Sequence, residues 1–462
     1  MTETIITDLE SIIGQNRVLS GAAVRERYHH VWLMDQPLNA LAVVLPRTTQ
    51  EVSEVLSICH EYHQPVVMHG GLTNLVGGTE TQSSEIVISL EKMNTIEEVD
   101  SESRTITVHA GAILENVQQA AEKNGLLFPL NFGAKGSAQM GGIIATNAGG
   151  LRVLRYGMTR QLVVGLEAVL ADGTIVSSMR KLIKDNSAYD LKQLFIGSEG
   201  TLGVITRAVL RLVESPNSRI SALAGLNSYD HVVAFLKFMD KGLAGTLSSF
   251  ELMWLPTYKV LTTPPALVPP PLPHKYNYYV LLDSLGGDPK QDFIRFQNLL
   301  EEALNRGLIQ DAVPAESVTD INRFWTIRED VAPMVSKCRH VQQFDISLPI
   351  PLIGEVVNQM VEDLYQIPEV EKVFTFGHVG DGNIHLVIGK SHQSEALINQ
   401  INHRVYQPLK AIGGSISAEH GIGIHKKHYL HISRTSEEIQ LMKTLKNTLD
   451  PRNILNPGKI LD

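Results

Sequence analysis

Apolar residues recur at helical spacing along 49–62, where Val52, Val55, Leu56 and Cys59 share one face and Thr49 is placed to cap it. The next segment, Pro65-Val-Val-Met-His, reads as a short buried strand that runs straight into glycines. Strand patterns follow at 86–90 and 105–109. Ile113, Leu114, Val117 and Ala121 predict a second amphipathic helix, which Asn124-Gly125 ends. Leu166-Glu-Ala-Val-Leu, then Asp172-Gly173, then Thr174-Ile-Val spell a hairpin with a primed turn. Helices and strands thus alternate through 1–215, the pattern of two small α/β lobes.

The pattern changes after Pro216. Thr263-Pro-Pro-Ala-Leu-Val-Pro-Pro-Pro-Leu-Pro lacks most backbone donors and predicts an irregular surface loop. Around it, 278–283, 344–349, 373–376 and 384–388 read as strands of one sheet, with helical patterns at 293–304 and 353–364. In the last helix, Thr435 and Glu438 form a capping box, Ile439, Met442 and Leu445 face one way, and Pro451 stops it. The expected class is α+β: a two-lobed α/β domain over 1–215, an inserted antiparallel-sheet domain with covering helices over 216–408, and a closing segment over 409–462.

Composition narrows the function. A chain of 462 residues is too long for one core, and 43% hydrophobic with 19% charged residues is ordinary globular usage. A net charge of −9 gives no general attraction for phosphate backbones, so a nucleic-acid partner is not expected. Cys59 and Cys338 cannot make a disulfide framework and suit a reducing compartment. The acidic start shows no secretory pattern, and no apolar run reaches the roughly 18–20 residues of a membrane span. A soluble cytoplasmic protein is expected, with peripheral membrane association left open.

Glycine is concentrated in three segments: His69 to Gly78, Gly133 to Gly150, and Gly197-Ser-Glu-Gly-Thr-Leu-Gly. Glycine lets backbone N–H groups converge into a nest for phosphate oxygens, a route open to an acidic protein. Any one such loop is more often a tight turn, but three together point to an extended cofactor. No G-x-G-x-x-G lies between strand and helix, and no G-x-x-x-x-G-K-[ST] occurs, so neither nicotinamide nor ATP leads.

These segments, with Leu449-Asp-Pro-Arg-Asn-Ile-Leu-Asn-Pro-Gly-Lys-Ile, resemble the FAD-linked oxidoreductases of the vanillyl-alcohol oxidase/p-cresol methylhydroxylase superfamily, from about Leu38 onward. The resemblance implies that 1–215 binds FAD, that 216–408 is a substrate domain and that 409–462 completes the flavin and metal site. It places His69, Gly70, Gly71, Leu72, Thr73, Asn74, Gly77 and Gly78 at the diphosphate. Pro129, Gly136, Ser137, Gly141, Gly142, Thr146, Asn147, Gly149 and Gly150 fall along diphosphate and flavin. Glu199, Gly200 and Ile205 fall near the adenosine half or the lobe packing, and Asn456 near the ring. Leu72 stands where some members carry a flavin-linked His, implying non-covalent FAD.

Two further motifs carry titratable groups. Gly377-His-Val-Gly-Asp-Gly-Asn-Ile-His sets His378 and His385 on a strand–turn–strand, and Ser417-Ala-Glu-His-Gly-Ile-Gly offers Glu419 and His420 at a strand end. Two imidazoles and a carboxylate are a common ligand set for Zn²⁺ and similar ions. Alone, the His pair is as often a turn residue and a packed strand residue. His60, His63, His109, His274 and His392 have no such partners and read as surface or satisfied histidines. The same motifs look like the signatures of FAD-linked D-2-hydroxyacid dehydrogenases, the D-lactate and D-2-hydroxyglutarate enzymes. That resemblance implies metal ligands His378, His385 and Glu419 (Zn²⁺ foremost, Mn²⁺ second), His420 as general base, also touching substrate, Asn383 and Asp381 at ligands or substrate, and Arg328 on the substrate carboxylate. Without the resemblance, Arg328 reads as a surface partner of Asp330. Ala332 and Gln343 stand where the diacid enzymes offer a Thr and a Lys, with Lys337 or Arg339 as substitutes.

The implied reaction is oxidation of a D-2-hydroxyacid to its 2-oxoacid with hydride to flavin N5. A quinone, an electron-transfer flavoprotein or a dye would take the electrons, and a homodimer is compatible. The alternatives are a non-redox lyase or synthase on the same scaffold and a metal hydrolase.

Overall fold

The computed structural model describes residues 2–27 and 37–462, which divide into two compact units. The first comprises Met1–Gly149, Gly157–Ser215 and Glu419–Asp462; the second comprises Gly150–Tyr156 and Pro216–Ala418.

The first unit holds two larger sheets and a two-stranded one of Leu126–Leu127 and Val213–Glu214. Of the larger two, one runs in the order Val18–Ser20, Ala42–Val44, Ile86–Ser89, Val66–His69, with the last three strands parallel. The other is antiparallel, in the order Ile96–Asp100, Thr105–His109, Val204–Arg211, Val163–Val169, Ile175–Ser178. One apolar core joins them. Helix Thr49–Glu61 contributes Val52, Val55, Leu56 and Cys59 to it, and helix Leu114–Glu122 contributes Leu114, Val117 and Ala121.

Two local expectations need correction. Thr48, not Thr49, caps the first helix: its side chain accepts the Glu51 N–H, while Thr49 Oγ1 donates to Glu167. The hairpin forms, but its turn is not primed, because of Asp172 and Gly173 only Gly173 (φ 89°) has positive φ. Gly173 N–H bonds Leu170 C=O and Leu170 N–H bonds Thr174 C=O, which makes a three-residue loop with Gly173 as its bulge.

The second unit is built on a seven-stranded, wholly antiparallel sheet. Its order is Asp311–Pro314, Ser218–Leu226, Tyr278–Gly286, Leu247–Trp254, Val370–His378, Asn383–Lys390, His340–Ser347. On one face, helices Leu255–Leu261, Val318–Glu329 and Ala332–Ser336 pack through Tyr258, Phe324, Trp325 and Met334 onto Met253, Tyr279, Phe374 and Phe376. On the other, helix Tyr229–Leu243 sets Phe235 against Phe250, and helix Glu395–Ala411 sets Tyr406 against Phe344. Covered on both sides, Leu247–Trp254 and Tyr278–Gly286 are buried throughout, including Ser248, Ser249, Glu251, Asp283 and Ser284, so polar residues in them do not mark a solvent face.

This unit continues past 408 to Ala418, because Ser415 pairs with Ser347 and Asp345 accepts the Ala418 N–H at 3.1 Å. It also takes in Gly150–Tyr156, where Ser249 donates to Leu151 C=O at 2.6 Å and Arg155 to Leu285 C=O. The proline stretch carries neither helix nor strand. The capping box of Thr435 and Glu438 opens helix Ser436–Leu449 as its residues predict. Among the described residues, no helix is long and apolar enough to cross a membrane.

Candidate functional site

In the first unit the buried strand Val66–His69 delivers the chain into the first glycine segment. Asn74 ties that loop, donating to Thr79 Oγ1 at 2.7 Å and accepting the Val76 and Gly78 N–H groups at 3.3 and 3.0 Å. His69 Nε2 lies 2.9 Å from Thr79 C=O. The first and second segments touch backbone to backbone: a Cβ on Gly71 would sit 2.0 Å from the Ser137 carbonyl, so only glycine fits. Gly70 faces Gly142 and the Gln139 side chain, whose Oε1 is buried with no hydrogen-bond partner, while the Cβ direction of Gly142 is open. A cradle walled by glycine backbone with an open side fits the diphosphate of a dinucleotide, which backbone N–H groups can bind. Thr146 and Asn147 follow on the short helix Met140–Ala145, and Asn147 Oδ1 accepts the Arg160 N–H. Pro129 is buried, Ile205 belongs to the apolar core, and Gly150 opens the excursion into the second unit.

The third segment is tied down by distant residues. Asn456 accepts the Met68 N–H at 2.9 Å and donates to Glu199 C=O at 2.6 Å. The Glu199 carboxylate accepts the Ile422 and Gly423 N–H groups at 2.7 and 2.8 Å. Burial pushes its carboxyl above the usual range, against the pull of those two N–H groups and of Lys426.

In the second unit, strand register lays chemistry out in rungs on the face that carries helix Val318–Glu329. Glu251 pairs with His378, His378 with Asn383, and Asn383 with Ser347. One rung further in lie Met253, Phe376, His385 and Asp345; the next holds Phe374, Val387 and Gln343. Side chains two residues apart on a strand share a face, so one hairpin turn and four strands converge these groups. The His378 and His385 rings stand edge to face with centroids 5.3 Å apart, each with a ligand nitrogen within 4.8 Å of the other's.

Glu251 was not anticipated. Buried on strand Leu247–Trp254, it accepts from Arg328 Nε at 2.9 Å and lies 2.8 Å from His378 Nδ1. Burial alone would raise its pKa, but His378 and Arg328 beside it hold the carboxyl below the usual range. Arg328 is 6% exposed, lies 4.7 Å over the Phe376 ring and pairs with Glu251, not Asp330. Its Nη2 is buried with no acceptor. Asp345, also missed, accepts from Asn383 Nδ2 at 2.8 Å and lies 3.8 Å from His385 Nδ1. Asn383 spends both donors, on Asp345 and Ile346 C=O, which leaves its buried Oδ1 without a donor. Asp381, in the turn, accepts the Asn383 N–H; burial, with Glu251 and Asp345 nearby and against the pull of His378, pushes it up to about 6. The signal that sequence reasoning passed over was an acidic residue inside an apolar strand, since a buried charge needs a partner.

Glu419 and His420 open the closing segment of the first unit, directly after the Ala418 that Asp345 holds. They lie in irregular backbone, not at a strand end, because pairing there is the single bridge Ser415–Ser347. Lys337 and Arg339 are exposed, and Arg339 lies 4.0 Å from Glu371. His109 pairs with Glu97, and His274 lies 2.8 Å from Thr262 Oγ1. Paired imidazoles backed by carboxylates are a donor set that suits a divalent cation of the zinc type.

Two family models match the chain: "FAD binding domain" over residues 40–178 and "FAD linked oxidases, C-terminal domain" over 215–460. A Bos taurus protein named "D-2-hydroxyglutarate dehydrogenase, mitochondrial" is 37% identical over 461 residues, covering 100% of this chain and 84% of that one. A Saccharomyces cerevisiae D-2-hydroxyglutarate–pyruvate transhydrogenase is 34% identical over 460 residues, covering 98% and 93%. Among solved structures, 4-ethylphenol oxidase from Gulosibacter chungangensis shares the fold, with a TM-score of 0.78 at 16% identity over 99% of this chain and 96% of that one.

Proposed function

The chain belongs to the FAD-linked D-2-hydroxyacid dehydrogenase family, and from that premise we propose that it oxidises D-lactate or D-2-hydroxyglutarate to the 2-oxoacid with non-covalent FAD and a divalent cation, Zn²⁺ before Mn²⁺. The observation that carries this reading is a pair of unmet buried atoms on one sheet face, the Arg328 Nη2 donor and the Asn383 Oδ1 acceptor. A 2-hydroxyacid offers carboxylate oxygens as the complement of the first, and the second marks an acceptor position on the same face.

Arg328, its Nε spent on Glu251, keeps Nη2 for the substrate carboxylate and so orients C2. His378, His385 and Glu419 would hold the cation, and Glu251 at Nδ1 would leave the Nε2 lone pair of His378 for it. His420 in its neutral form takes the hydroxyl proton, a role worth about 10²–10⁴-fold. The glycine segments 69–78 and 133–149 hold the dinucleotide without a covalent link, since Leu72 offers no nucleophile. When bound, FAD accepts the C2 hydride and the cation lends Lewis acidity at the hydroxyl oxygen. Gln343 and Val387 in the third rung are neutral and supply no cation for a second carboxylate, which favours D-lactate of the two acids.

Electrons then pass to a quinone or an electron-transfer flavoprotein. A cytoplasmic location rests on composition and is tested by fractionation, the bovine relative being named mitochondrial. The decisive experiment adds D-lactate, D-2-hydroxyglutarate, D-malate or glycolate to the yellow protein without oxygen. At least one D-acid should bleach the flavin band and drive dye reduction; a flavin that no hydroxyacid reduces overturns the reading.

A further inference from the structure

One buried carboxylate serves two different partners at the edge of the polar face. Glu251 is 1% exposed and engages both Arg328 Nε, at 2.9 Å, and His378 Nδ1, at 2.8 Å. We infer that Glu251 is a positioning residue that couples acid binding at Arg328 to cation binding at His378, an inference that rests on the function proposed above.

The argument is one of donors and acceptors. An ionised carboxylate only accepts, so His378 must present Nδ1–H to it, which fixes the tautomer and leaves the Nε2 lone pair for a cation. The same carboxylate increases the basicity of the ring. On the other side, the Nε bond and the Phe376 ring, 4.7 Å from the guanidinium carbon, fix the plane of Arg328. Its fork is then aimed by two contacts, and Nη2 is left to meet a ligand.

A neutral amide replaces this group poorly. Oε2 lies 2.9 Å from Arg328 Nε and 2.8 Å from His378 Nδ1, and Oε1 is also 2.8 Å from Nδ1, so glutamine sets an NH₂ against one of these donors in either orientation. With the amide oxygen on Arg328, the NH₂ faces His378 Nδ1 and drives the ring proton to Nε2, where it blocks a cation. With the oxygen on His378, the NH₂ opposes the Arg328 N–H and the fork turns away. Glu251→Gln therefore weakens one function or the other. Conversely, removing the guanidinium leaves the whole carboxylate charge to His378. Arg328 is no ligand, yet its loss should tighten cation binding, in part by removing a nearby positive charge and in part through Glu251.

The test measures Zn²⁺ affinity of the FAD-loaded protein by equilibrium dialysis with metal analysis, then KM and kcat with the acid that reduces the flavin. Glu251→Gln should either weaken Zn²⁺ binding roughly 10–100-fold or raise KM by a similar factor, with FAD content retained. Arg328→Met should tighten Zn²⁺ binding severalfold in the wild-type background and clearly less beside Glu251→Gln. Should Glu251→Gln not fold, Glu251→Asp takes its place: the shorter side chain reaches one partner, so one of the two constants moves. A lowered melting temperature with both constants unmoved, or an Arg328→Met effect that is equal in both backgrounds, overturns the inference. Zn²⁺ binding is read without any hydroxyacid. A wild type that binds Zn²⁺ but oxidises no acid therefore defeats the proposed function alone, whereas one that binds no Zn²⁺ defeats the coupling.

Discussion

Arg328 illustrates how burial turns a common side chain into a specific one. With Nε committed to Glu251 and the guanidinium stacked on Phe376, a single direction of donation is left. Lysine would keep the charge and lose the planar fork. Arg328→Lys should raise KM for the hydroxyacid about 10–100-fold while kcat falls less, as steady-state kinetics with a dye acceptor will show; an unchanged KM removes Arg328 from the carboxylate. At this scale the sequence was unevenly legible. His378 and His385 stand in a recognisable strand–turn–strand and Arg328 was placed by the family resemblance alone, whereas Glu251 and Asp345 are lone acids in strands whose partners lie far along the chain. Nothing local announces a pairing across such separations. The apolar context of Glu251 is the one local hint, because an unpaired carboxylate there would cost several kcal/mol.

The element that organises the face is the hairpin of Val370–His378 and Asn383–Lys390. Its register decides that Phe376, His378, Asn383 and His385 point the same way; a slip of one residue would turn all four over. The alternation of residues made the hairpin legible. Of its neighbours, 344–349 read as a strand but Leu247–Trp254 did not, and the pairing of both with the hairpin is long-range. The turn carries Asp381, whose carboxyl burial raises from 3.8 to about 6. A raised acid binds its proton more tightly when folded, so its contribution is whole below about pH 4 and is lost as pH rises through 6. In metal-stripped protein the melting temperature should therefore fall between those values, and Asp381→Asn should flatten that fall. Melting curves across the range check this; parallel profiles would deny Asp381 the effect.

At the scale of the molecule, the two-unit division follows from the alternation of lobes and the change of pattern after Pro216. Its edges escaped notice. The bridge Ser415–Ser347 and the Leu151–Ser249 bond draw short stretches into the second unit, and both depend on tertiary neighbours rather than local composition. The first unit is assembled from three separate stretches of chain, the last beginning at Glu419. Removing residues from 450 onward should leave the second unit folded and abolish flavin retention, read as the loss of yellow colour from the purified protein. A yellow truncated protein would show the tail to be dispensable.

Asn456 clasps Met68 to Glu199, and a ribosome releases it hundreds of residues after the first of them. The clasp therefore cannot close before residue 456 has left the ribosome. Dinucleotide capture waits on that residue, and cells starved of riboflavin should accumulate apoprotein that already carries it rather than shorter stalled fragments.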